Sequence, residues 1–223
     1  MSPVLYLWSM KILVVAATEK ELESVRSAPV SGLEIHFLVA GIGMVSTTYL
    51  LANHLSKDKT YDLVLNIGVA GSFKKEITTG AVVVVEEDIF SEIGAEDGTE
   101  FRSLSEIGLE GIDRIFNDKG FFSQGFDHLK KVRAITVNTV HGNENHINEI
   151  IRRLDPDIES MEGAAVAYVC SMENIPWVQL RAISNKVEKR NKDAWDIPLA
   201  LKNLSNEFVV FTRKLNAKSS IRI

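Results

Sequence analysis

Six short apolar runs stand at residues 11–17, 33–40, 62–67, 81–85, 132–137 and 177–183, and several of them carry little polar alternation. A strand with one face in water alternates polar and apolar side chains, so such runs predict strands buried on both faces. Segments of helical periodicity lie between them: the polar EKELESV stretch that follows Thr18, and residues 44–55, 146–153, 161–172 and 197–215. Pro198 suits the first turn of the last helix, where its missing N–H costs nothing. Strands interleaved with helices lead to an α/β fold, a central mixed sheet with helices on both sides. Residues 86–105, acidic and glycine-containing, read as a surface loop.

In such sheets ligands bind beyond the carboxyl ends of the strands. This directs attention to residues 18–21, 68–72, 138–142 and 184–190. The chain has 223 residues, enough for one well-buried domain, assigned to residues 10–223. Residues 1–9 read as a short extension or a start-site ambiguity between Met1 and Met10. A net charge of -5 offers no footprint for a phosphate backbone, so nucleic acid is not an expected partner. The single cysteine, Cys170, has no second cysteine to pair with, which fits a reducing cytoplasm. No run reaches the roughly 18–20 apolar residues a membrane span requires.

Several residues at the strand ends admit both a chemical and a structural reading. Glu21 closes the sequence Thr18-Glu19-Lys20-Glu21, a capping box in which its carboxylate returns a hydrogen bond to its own helix start. Glu162 opens a helix, where the macrodipole favours a carboxylate, yet it stands beside Gly163, Ala164 and Ala165, and a carboxylate among small core residues needs donors. Gly68-Val69-Ala70-Gly71 allows close backbone approach to a ligand or serves a tight strand-to-loop turn. Asn185 contributes to a site or simply shapes a strand exit. His141 and His146 lack a third spaced ligand, so they are assigned to a polar loop and no metal is expected. Gly41-Ile42-Gly43 lacks the third glycine of a dinucleotide fingerprint, so no nicotinamide cofactor, and no other cofactor, is expected.

Taken together, Ala17-Thr18-Glu19-Lys20-Glu21, Gly41-Ile42-Gly43, Gly68-Val69-Ala70-Gly71, Ser160-Met161-Glu162 and Arg181-Ala182-Ile183-Ser184-Asn185 resemble the purine nucleoside phosphorylase and nucleosidase superfamily. Within it, the run from Met161 to Cys170 and the spacing Asn185…Arg190…Trp195-Asp196-Ile197-Pro198 are similar to the futalosine hydrolase family, which releases hypoxanthine from futalosine on an alternative route to menaquinone. The resemblance implies a three-layer α/β/α fold and a homo-oligomer. It also implies roles: Glu21 activates the attacking water, Glu162 grips the ribose 2′- and 3′-hydroxyls, and Met161 packs on the sugar. Ala70 and Gly71 line base and ribose, Ser160 belongs to the same substrate-binding motif, and Asn185 stands where related methylthioadenosine nucleosidases carry an aspartate.

That last difference bears on the leaving base. Hypoxanthine presents acceptors at both N7 and O6, which suit the NH2 of a carboxamide, whereas a carboxylate would meet lone pairs. A 6-oxopurine is therefore the expected base. The rival readings are a phosphorylase, an adenine-specific nucleosidase and a catalytically inert sensor of the same fold. A phosphorylase needs a cationic cluster, and no arginine stands at positions 17–21 or 41–48.

Overall fold

The structure is a computed structural model that describes residues 10–30, 32–117 and 125–219. The extension assigned to residues 1–9 lies outside the described residues. In chain order the elements are β1 (Met10–Ala16), α1 (Glu19–Arg26), β2 (Leu33–Val39), α2 (Met44–Lys57), β3 (Leu63–Ser72), β4 (Val82–Phe90), β5 (Gly94–Asp97), β6 (Glu100–Ser103), β7 (Arg114–Phe116), β8 (Lys130–Thr136), α3 (Glu144–Leu154), β9 (Ile158–Ser160), α4 (Gly163–Met172), β10 (Trp177–Lys186) and α5 (Ile197–Ser219).

Strand β1 shows why the aliphatic runs lack alternation. Ile12 and Val14 point into one core with Leu22 and Val25 of α1 and Leu204, Phe208 and Phe211 of α5. Leu13 and Val15 point into the opposite core, with Leu51 and Leu55 of α2 and Val166 and Val169 of α4. Helices thus cover both faces, and the result is the three-layer α/β/α arrangement with a mixed sheet. Among the described residues no helix is long and apolar enough to cross a membrane.

The sheet does more than lie flat between the helices. β3 is parallel to β1 along its first half, antiparallel to β9 at Gly71 and Ser72, and parallel to β10 on its other edge. β10 pairs with β4, β4 with β8, and β8 with β9, which closes a ring of five strands. A third apolar cluster draws on all five, through Ala70, Val83, Val85, Val132, Ala134, Ile158 and Ile183. β1 and β2 extend the sheet outside this ring.

Several sequence expectations are corrected. Residues 86–105 are not a surface loop: β4 continues through Phe90 and β5 pairs with β6. Two of the acidic residues that suggested a loop are buried with partners far away in sequence, Glu87 with Arg114 and Arg133, and Asp88 with Thr136 and Gln179. Gly68 and Gly71 are not in a turn but inside β3. The helix expected from residue 161 begins at Gly163, and β10 runs on to Lys186 with a bulge between Ile183 and Asn185.

Candidate active site

Thr18 caps α1, and the capping box forms in full. Glu21 Oε2 accepts from the backbone N–H of Thr18 at 2.9 Å and from its hydroxyl at 2.7 Å. Its second oxygen leaves the cap: Oε1 accepts from Val69 N–H, 3.2 Å away on β3. The structural and the chemical readings of Glu21 therefore use different oxygens of one side chain. Gly68 makes this approach possible. A Cβ there would stand 2.9 Å from Glu21 Oε1 and 2.5 Å from Arg181 Nη1.

Arg181 projects from β10 and is 2 % exposed. Its Nη2 donates to Asn66 Oδ1 at 2.6 Å, Asn66 donates to Val15 O, and its Nε has no hydrogen-bond partner among the described residues. Burial lowers its pKa, opposed by the charges of Glu162, Glu21 and Asp88. One buried cation thus faces three carboxylates. That balance is unsuited to a phosphate dianion, even though a guanidinium does reach the Glu21 end of the sheet from a distant part of the chain.

Glu162 occupies the N-cap of α4 but does not cap it. Its Oε1 instead accepts from Gly43 N–H at 2.9 Å, and Gly43 sits at φ +85°, a left-handed backbone that glycine adopts without strain. The helix start is served by other groups. Gly163 N–H donates to Ser160 Oγ at 3.3 Å and Ala164 N–H to Thr136 Oγ1 at 2.8 Å. Burial pushes the Glu162 carboxyl above its ordinary pKa, while the Gly43 amide and Arg181 pull it down.

Asp88, fully buried, lies beneath that helix start. It accepts from Thr136 Oγ1 at 2.9 Å and from Gln179 Nε2 at 3.0 Å. A side chain at position 163 would stand 2.2 Å from both Asp88 Oδ2 and Gln179 Nε2, so only glycine fits. Burial pushes the Asp88 carboxyl up to about 6, against its hydrogen bonds and Arg181. The native state therefore holds this proton more tightly than the unfolded chain does. The associated stability is complete below the ordinary carboxylate range and is lost as pH rises through about 6. Asp88→Asn, permanently neutral, is expected to be more stable than the parent above pH 6, by on the order of 2–3 kcal/mol, and to match it more closely near pH 4. Thermal melts at pH 4.5 and 7.5 check this. A parallel offset at both values would show that Asp88 titrates as an ordinary carboxylate.

The other predicted residues gather at the end of β3. Ala70 and Gly71 are buried there, beside β10 and β9. Asn185 Nδ2 lies 3.3 Å from where a Gly71 Cβ would be. Its amide has a defined sense: Nδ2 donates to the Lys186 carbonyl at 2.8 Å, a group that only accepts, and Oδ1 accepts from the Ser184 hydroxyl at 2.7 Å. Met161 is half-buried at the start of α4, and Ser160 is buried with its hydroxyl turned to Gly163. The fold thus brings Glu21 and Glu162 to one side of Arg181's field and Ala70, Gly71 and Asn185 to the adjoining strand ends. His141 lies in the polar loop expected of it. Its Nδ1 lies 2.6 Å from Oε2 of buried Glu159.

A model of the phosphorylase superfamily matches residues 22–223. The chain belongs to that superfamily. Its relatives there include a futalosine hydrolase from Acidothermus cellulolyticus, 29% identical, the match covering 90% of this chain and 89% of that one. They also include a 5′-methylthioadenosine/S-adenosylhomocysteine nucleosidase from Lysinibacillus sphaericus, likewise 29% identical, with 87% and 95% covered. Among solved phosphorylase-superfamily structures, the corresponding nucleosidase from S. pneumoniae superposes with a TM-score of 0.75 at 20% identity, covering 92% of this chain and 100% of its own. Sequence reasoning on this superfamily member quoted Arg181 in a motif without giving it a role, and missed Asp88 and Glu159. The available signal for the first was an arginine inside an otherwise aliphatic strand, since a charge there requires buried partners.

Proposed function

We propose that the chain is a futalosine hydrolase, which uses water to cut the N-glycosidic bond of futalosine and releases hypoxanthine. The observation that carries this reading is the fixed sense of the Asn185 amide. One hydrogen of Nδ2 is taken by the Lys186 carbonyl, and the second is available to an acceptor lying over Gly71. N7 and O6 of a 6-oxopurine both accept, whereas the 6-amino group of adenine donates. The similarity to curated futalosine hydrolases points the same way.

In this reading Glu162 holds the ribose hydroxyls through an oxocarbenium-like transition state. Glu21 takes a proton from the attacking water, and Met161, Ala70, Gly71 and Ser160 shape the substrate-binding face. Asn185 steadies the charge that develops on the departing base. Arg181 favours the ionised form of Glu162, as the work of gripping two hydroxyls requires. Residence in the cytoplasm and assembly as a homo-oligomer belong to the same proposal. The latter is supported by Val45 and Tyr49, which are 82% and 69% exposed on α2, next to the Gly43 amide that holds Glu162.

Incubation with futalosine, inosine and methylthioadenosine, with and without phosphate, tests the reading by chromatography of the free base. Phosphate-independent hypoxanthine release is expected. Adenine release alone would make the chain a methylthioadenosine-type nucleosidase, and strict phosphate dependence a phosphorylase. Asn185→Asp is expected to move the ratio of kcat/KM toward adenine nucleosides by about one to two decades, the cost of mispairing a buried polar group. Unchanged hypoxanthine release without any adenine release would overturn the assignment of Asn185 as the base-reading residue.

A further inference from the structure

A purine that leaves C1′ with the bonding pair must be protonated on its ring, and the Asn185 amide holds no proton that it can give up. We propose that His141, held by Glu159, is the acid that delivers this proton; the role rests on the hydrolase reading above.

Glu159 is the middle residue of β9 and pairs directly with Gly71 of β3. Its Cγ lies 3.6 Å from the position of a Gly71 Cβ, the same point that Asn185 Nδ2 approaches at 3.3 Å. Glu159 and Asn185 therefore flank one small patch of β3 from its two edges. Glu159 is 4 % exposed and is satisfied almost wholly by one residue: His141 N–H donates to Oε1 at 3.1 Å, and His141 Nδ1 lies 2.6 Å from Oε2. A carboxylate that takes the backbone donor and the Nδ1 proton fixes the tautomer and orients the ring. The second ring proton then sits on Nε2, which has no hydrogen-bond partner among the described residues.

His141 lies between β8 and α3, in a loop that packs against Phe73 just past β3 and, at Gly142, against Arg190 past β10. The Phe73 ring stands edge-on to it at 6.1 Å and supplies an apolar wall. The charged groups around it are Glu159 from β9 and Arg190 from the segment after β10, with Glu144 and His146 following in the first turn of α3. Position 142 packs 3.6 Å from Arg190 Cβ, but the guanidinium is turned over the Trp195 ring at 5.5 Å. Glu159 is thus the charge in direct contact with the imidazole.

The step balances. The C1′–N9 bond breaks with its electron pair passing to the purine, and the Nε2 proton of His141 moves to purine N7. Water adds to C1′ and gives its proton to Glu21. Solvent exchange then returns a proton from Glu21 to the neutral imidazole, and the net reaction consumes one water.

The test compares His141→Asn with the parent on inosine or futalosine from pH 5 to 9, and on a 4-nitrophenyl riboside, whose leaving group departs without protonation. Asparagine keeps an N–H for Glu159 and removes the transferable proton. With the purine substrate kcat is expected to fall about 10²–10⁴-fold, with KM within a few-fold and the alkaline limb of the kcat profile lost. With the nitrophenyl riboside kcat is expected to stay within about threefold of the parent. Glu159→Gln, which keeps the histidine but loses the carboxylate that orients it, is expected to lower kcat on the purine substrate and leave the nitrophenyl riboside within about threefold, and it serves as the second variant if His141→Asn does not fold. Equal losses on both substrates in either variant, or full purine release by His141→Asn, would overturn the role. A parent protein that releases no hypoxanthine overturns the hydrolase reading instead.

Discussion

Glu21→Gln is expected to lose about 10²–10⁴-fold in turnover while costing no more than about 1–2 kcal/mol of stability. The two effects separate because the two carboxylate oxygens have separate tasks. Oε2 completes the cap of α1 with the Thr18 amide and hydroxyl. Oε1 stands on β3, at the Val69 amide and beside Gly68. Glutamine preserves the shape and one acceptor, so most of the cap survives, but it cannot take a proton from water. Thr18→Ala supplies the comparison: it removes a cap hydroxyl and leaves the carboxylate, so stability should fall by about 1 kcal/mol with most turnover retained. Initial rates of base release and thermal melts on both variants check the pair. If Glu21→Gln turns over normally and only melts earlier, the carboxylate is a cap and nothing more.

The second large effect concerns Arg181. Replacement by leucine leaves Glu21, Glu162 and Asp88 around an apolar side chain, and uncompensated buried charge costs about 3–5 kcal/mol. That is a large share of the 5–15 kcal/mol that holds a typical domain together. The loss should be greatest at neutral and alkaline pH. It should shrink as pH falls toward 5, because without the guanidinium the Asp88 and Glu162 carboxyls, already pushed up by burial, take up protons more readily. Denaturant midpoints at several pH values measure this. Asp88→Asn in the same chain should recover part of the loss, since it deletes one of the three facing charges, and simple additivity of the two substitutions would show that they do not interact.

How much of this was legible beforehand follows from where each residue finds its partners. β1 and the first half of β3 announce themselves because helices cover both faces, so their sequences are aliphatic with little alternation. The capping box of α1 is legible because all its partners lie within four residues. β9 is only three residues long, and Glu159 reads as polar until Gly71 and His141 are placed around it. Glu87 and Asp88 suggested a loop for the same reason: the residues that satisfy them are distant in sequence. The resemblance to a known superfamily drew attention to Glu21, Glu162 and Asn185, but no local pattern could tell that Glu162 turns from its own helix to a glycine 119 residues earlier.

That reach across the chain recurs throughout the five-stranded ring. Glu21 meets Val69 over a separation of 48 residues, and Arg181 meets Asn66 over 115. Contacts of such long range form slowly, since the chain must close large loops before they return any stabilisation. The β3–β9 closure is what sets Gly71 beside Glu159. Base release therefore gauges the completed tertiary fold, because helix content alone assembles none of these long-range pairs.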